Sequence, residues 1–184
     1  AELGQALTDR VCVVAYHPVT LQEDTTAEAD ALFEALSLWD GQIVFCFPNA
    51  DVGSSTLVKR TRDFCRSHES ARLYVNLDHL TYWALLKHAC LMIGNSSSGI
   101  METPSLQLPC VDIGLRQQGR TRAGNIIHCD PACPDIVSAM NTAVSQEFRA
   151  TVRSIQNPYG DGRASERIVR GIVNAPEAQV LLMK

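Results

Sequence analysis

Leu91-Met92-Ile93-Gly94-Asn95-Ser96-Ser97-Ser98-Gly99-Ile100-Met101-Glu102 carries the chain from an apolar strand straight into the start of a helix. Leu91–Gly94 is short and apolar throughout, the pattern of a strand buried on both faces. The serines that follow are N-cap residues, and the spacing predicts a short helix over Ser97–Leu106. The same alternation extends outward in both directions. Further strands are predicted at Val11–Tyr16, Gln42–Phe47, Arg72–Val75, Cys110–Ile113 and Asn125–His128. Helices are predicted at Thr26–Trp39, Ser54–His68, Asp78–Ala89 with Asp78 as N-cap, Asp135–Phe148 and Ala164–Val173, and Ala1–Arg10 also reads as helical. Strands alternating with helices imply parallel pairing and right-handed crossovers, so the expected fold is α/β: a Rossmann-like parallel sheet flanked by helices.

The 184 residues suit one compact domain. Sixteen Lys and Arg stand against 20 Asp and Glu, for a formal charge of -4. That balance argues against a nucleic-acid or membrane-surface partner, which needs concentrated positive charge. The seven cysteines are odd in number, and several lie in strand-like runs, which points to buried thiols in a reducing compartment. The chain opens without Met and leads quickly into a strand, as a piece of a longer protein would.

In an open parallel sheet, ligands bind beyond the carboxyl ends of the strands. Ser96, Ser97, Ser98 and Gly99 sit at such a place. Small residues let a ligand approach the backbone, while N–H groups, the helix dipole and hydroxyls attract an anion. No P-loop lysine follows. A carboxylate beside phosphate would repel it, so Glu102 suits vicinal hydroxyls, although a first-turn Glu also favours the helix dipole by itself. Arg116, Arg120 and Arg122 follow a strand and carry forks suited to phosphate, or form a solvated basic loop. His17 closes the first strand before Pro18, where it can donate to phosphate, move a proton or be merely structural. Cys129 and Cys133 beside His128 lack the four spaced ligands of a zinc site, so no metal is expected.

Five segments occur in a set order: Tyr16-His17-Pro18-Val19-Thr20, Phe47-Pro48-Asn49-Ala50-Asp51-Val52-Gly53, Met92–Glu102, Ile113-Gly114-Leu115-Arg116-Gln117-Gln118-Gly119-Arg120 and Tyr159-Gly160-Asp161-Gly162. Together they resemble the UDP-N-acetylglucosamine 2-epimerases, in particular the hydrolysing branch of sialic-acid and related nonulosonic-acid pathways. The resemblance implies one half of a GT-B-type fold, with residues 1–184 forming the C-terminal, UDP-binding domain and the N-terminal catalytic half absent. It implies Ser96, Ser97, Ser98 and Gly99 at the diphosphate, Glu102 on the ribose, Arg116 at the phosphates and Tyr82 against uracil. It places His17 in the cleft as a catalytic residue, with Asn49 and Asp51 along the wall.

The implied reaction eliminates UDP across C1–C2 of the sugar, then adds water to give N-acetylmannosamine or a relative. No cofactor or metal is implied. The implied partners are a UDP-sugar, the missing N-terminal domain and further copies in the full-length protein, with cytoplasmic localisation and neither nucleic acid nor membrane. Two other readings fit the same motifs: the donor-binding domain of a GT-B glycosyltransferase, and a nucleotide-sugar binding module without chemistry.

Overall fold

The structure is a computed structural model that describes residues 6–18, 28–47 and 54–176. Six strands, β1 (Val11–Ala15), β2 (Gln42–Phe47), β3 (Ala71–Val75), β4 (Leu91–Gly94), β5 (Cys110–Ile113) and β6 (Ile126–Cys129), form one sheet in the order β3-β2-β1-β4-β5-β6. Every neighbouring pair is parallel. This is the expected Rossmann-like architecture, with its topological switch between β1 and β4.

Alternation along the strands divides the core between two faces. Cys12, Val14, Ile43, Phe45 and Phe47 point to one face, where Leu32 and Leu36 of α1 (Ala29–Ser37), Leu57 and Phe64 of α2 (Ser54–Ser67) and Ile136 and Met140 of α5 (Cys133–Val144) cover them. Val11, Val13, Val44 and Cys46 point to the other, against Leu85 and Leu86 of α3 (His79–His88). Each fully buried Leu, Ile or Phe contributes about 1.5–3 kcal/mol to this packing. Asp78 caps α3, its carboxylate accepting the Thr81 N–H at 3.0 Å.

The predicted Ser97–Leu106 helix is two pieces, α4 (Ser97–Met101) and a 3-10 turn at Thr103–Leu106. Pro104 has no N–H to continue the ladder, and the Thr103 hydroxyl bonds the Gly99 carbonyl at 2.6 Å. The predicted Asp135–Phe148 helix also divides. Ser145 turns extended, and its side chain caps α6 (Gln146–Val152) by accepting the Phe148 N–H. Residues 6–10 are not helical, contrary to the reading of Ala1–Arg10. The last described helix is α7 (Ala164–Val173), none of whose residues is buried.

Gly94 is required where β4 ends. Its φ is +141°, and a Cβ there would lie 2.1 Å from the Ala15 carbonyl oxygen of β1. The two central strands therefore meet backbone to backbone at the switch point.

Candidate functional site

Three loops leave the carboxyl ends of β1, β4 and β5 at the switch point, and Asn95 ties them together. Its side-chain oxygen accepts the His17 N–H at 2.7 Å, and its side-chain nitrogen donates to the His17 carbonyl at 2.9 Å. Its own carbonyl accepts Gln117 Nε2 at 2.8 Å and Arg116 Nη1 at 3.1 Å. Asn95 is fully buried and Gln117 nearly so.

Two hollows open beside this junction and meet at Ser98. The first, about 240 Å³, is lined by His17, Phe47, Asn76, Tyr82, Ser96 and Ser98. The second, about 430 Å³, is lined by Ser97, Ser98 and Glu102 on one side and by Tyr159, Asp161 and Arg167 on the other. Asn157 holds the second wall in place, donating to the Met101 carbonyl and the Ser105 hydroxyl, both at 2.7 Å. Tyr159 donates to the Thr121 carbonyl at 3.0 Å. Arg167 pairs with both oxygens of Asp161, whose carboxyl is thereby held below its usual range.

A hydrogen-bond relay crosses between the hollows. Ser98 Oγ donates to Glu102 Oε2 at 2.7 Å and lies 2.9 Å from the Tyr82 hydroxyl. A serine has one proton. With that proton on Glu102, Tyr82 is the donor to Ser98. Burial pushes the Tyr82 hydroxyl well above its usual pKa, although the Ser98 bond opposes this, so the phenol stays a donor. The Cys46 thiol in the first hollow is pushed up to about 12 by burial and is not a nucleophile there.

The structure therefore gathers His17, Tyr82, Ser96, Ser97, Ser98 and Glu102 around one junction, whereas Arg116 donates to the Asn95 carbonyl and lines neither hollow. Ser96 caps α4 by accepting the Ser98 N–H at 3.3 Å, and the Gly99 N–H bonds the Ser96 carbonyl at 3.1 Å. Two of the cradle's N–H groups are thus already used within the turn. Gly99 is buried, and its missing side chain seats α4 against Cys110 of β5. Asn49 and Asp51 lie outside the described residues.

The basic loop separates into distinct roles. Arg122 donates twice to Asp112, at 3.0 and 2.7 Å, and Asp112 is 1% exposed, so this arginine neutralises a buried carboxylate and does not face the hollows. Arg120 reaches the Met101 sulfur. Asn95, Gln117 and Asn157 were not singled out from the sequence. Asn95 stood in plain view as a polar residue directly after an apolar strand. Among the described residues, no group of three His, Cys, Asp or Glu is placed to hold a metal, and no helix is long and apolar enough to cross a membrane.

Comparison with known proteins adds three findings. Residues 2–173 match the sequence pattern described as UDP-N-acetylglucosamine 2-epimerase. The chain is similar to polysialic acid biosynthesis protein P7 of Escherichia coli, 33% identical over 168 residues, which are 90% of this chain and 43% of that protein. It is also similar to the hydrolysing GDP/UDP-N,N'-diacetylbacillosamine 2-epimerase of Campylobacter jejuni, 36% identical over 150 residues, 80% of this chain and 38% of the other. In fold it resembles Staphylococcus aureus MnaA solved with UDP, with a TM-score of 0.71 at 19% identity over 89% of this chain and 44% of that one. The chain spans less than half the length of these relatives.

Proposed function

Because the chain belongs to the UDP-N-acetylglucosamine 2-epimerase family, we propose that it is the UDP-binding half of a hydrolysing member. The observation that carries this reading is the junction at Ser98, where a hydroxyl-lined hollow meets one that presents the fixed carboxylate of Glu102. A nucleoside diphosphate needs both: donors for its phosphates and an acceptor for its ribose hydroxyls. Ser96 and Ser97, with Arg116 behind them, face the diphosphate. Glu102 takes the ribose, and Tyr82, joined to it through Ser98, borders the nucleotide from the first hollow.

The full-length protein releases UDP by elimination across C1–C2 of a UDP-sugar and then hydrates the glycal to N-acetylmannosamine or its relative. Charge grows on the departing diphosphate, and donors already aimed at it lower that barrier. His17, on the first hollow, donates to the leaving phosphate. The base for the C2 proton comes from the N-terminal half, since Glu102 is engaged by Ser98. Residues 1–184 form the C-terminal domain of that enzyme, which functions as a homo-oligomer in the cytoplasm. The free state of all seven cysteines suits a reducing compartment. Helix α7 supports the domain assignment: Ile168, Val169, Ile172 and Val173 are 59–75% exposed along one stripe, a face suited to covering by the other half.

Isothermal titration of the chain with UDP, GDP and ADP tests the reading. Weak binding of UDP, preferred over the other two, is expected, with no turnover of UDP-sugar. Absence of UDP binding overturns the assignment. Steady release of UDP and N-acetylmannosamine by this chain, abolished by His17→Ala, overturns the division of labour between the halves.

A further inference from the structure

We propose that Asn95 is a positioning residue that holds His17 and Arg116 in place beside the serine cradle. The inference rests on the UDP-binding reading of the site. The sheet itself fixes β1 against β4 only as far as Ala15 and Gly94, the last paired residues. Beyond them the Asn95 N–H reaches the Ala15 carbonyl at 3.2 Å, and its side-chain amide takes over as a substitute peptide group, bonding both polar groups of the His17 backbone. The ladder is thereby extended to His17, which borders the first hollow.

The backbone carbonyl of the same residue holds Arg116 and Gln117, which arrive from β5. One buried residue thus joins the loops of three strands. The next residues in the chain, Ser96 to Ser98, line the two hollows. Only an amide has a donor and an acceptor side by side for this task. Alanine would leave the His17 N–H and carbonyl without this partner, and aspartate would turn an oxygen toward the His17 carbonyl.

The side chain acts through His17, which makes the role measurable. Asn95→Ala should weaken UDP binding about tenfold, the scale of one lost directing contact. In a His17→Ala background it should change UDP affinity little, because no imidazole remains to be placed. Hydrogen exchange at the His17 amide reads the clip with no nucleotide present, and protection should fall in Asn95→Ala. Gln117→Leu removes one anchor on the Asn95 carbonyl and serves if Asn95→Ala does not fold. Its effect on UDP affinity should vanish in an Arg116→Ala background. Failure of the unaltered chain to bind UDP overturns the reading of the site. Unchanged exchange in Asn95→Ala overturns the clip itself. Equal losses of affinity with and without His17, or with and without Arg116 for Gln117→Leu, overturn positioning in favour of a general structural role.

Discussion

Replacing Ser98 by alanine tests the relay between the two hollows. Its single proton goes to Glu102, and its oxygen accepts from Tyr82, so one deletion removes both bonds. Tyr82 keeps only the Met92 sulfur, 4.0 Å away, as a weak acceptor. Glu102 is half-buried, so water can replace part of what it loses. Together these place the cost to stability at about 1–2 kcal/mol. Tyr82→Phe removes the outer donor alone and should cost about 0.5–1.5 kcal/mol. The double variant should cost about 1 kcal/mol less than the sum, because no phenol is then left without its acceptor. Urea unfolding of the four proteins measures this cycle. Binding supplies a second readout. A freed Glu102 must be ordered again by the nucleotide, at about 0.5–1.5 kcal/mol, or roughly two- to tenfold in UDP affinity. Strict additivity in unfolding, with unchanged UDP affinity in Ser98→Ala, would refute the relay.

Glu102→Gln should weaken UDP binding far more than binding of inorganic phosphate, whereas Arg116→Ala should weaken both; equal UDP affinity in the parent and Glu102→Gln rejects the ribose role. Charging the stripe of α7 with Ile168→Glu and Ile172→Glu should leave unfolding of this chain within about 0.5 kcal/mol, since both side chains are exposed, while weakening its association with a separately supplied N-terminal half in sedimentation. A large loss of stability would mean that the stripe is already covered. Burial raises the Cys46 thiol from 9.0 to about 12, so the folded chain holds a proton that the unfolded chain loses. Its contribution is intact below pH 9 and lost as pH rises toward 12, at up to about 1.4 kcal/mol per pH unit. The urea midpoint should fall between pH 9 and 10.5, and less so in Cys46→Ala; equal slopes in the two proteins would contradict the assignment.

The strands were legible because burial on both faces leaves a run of apolar residues with no alternation to misread. Gln42–Phe47, Leu91–Gly94 and Cys110–Ile113 have the boundaries their sequences predict. The helices were legible by face but not by end. Pro104 and Ser145 interrupt segments whose apolar spacing continues across the break, and spacing outweighed the local breaker in both readings. The serines and Glu102 stood out by type, and their separation of four residues already places Ser98 and Glu102 one turn apart. Tyr82 joining them is a tertiary fact that no local pattern records. The same holds for Arg122, whose commitment to Asp112 depends on the loop folding back over β5. Asn95 lies 78 residues from its partner His17, so its type was visible and its task was not.

Gly99 has a consequence for how this sequence can vary. A Cβ at that position would sit 2.7 Å from the Cys110 sulfur, which is itself enclosed. The two residues share one small space, so neither can grow while the other keeps its size. Alanine at 99 becomes tolerable only beside alanine or glycine at 110, and a library that randomises both codons should return survivors sorted by combined volume. Among descendants of this sequence, the two positions would then be inherited as a pair.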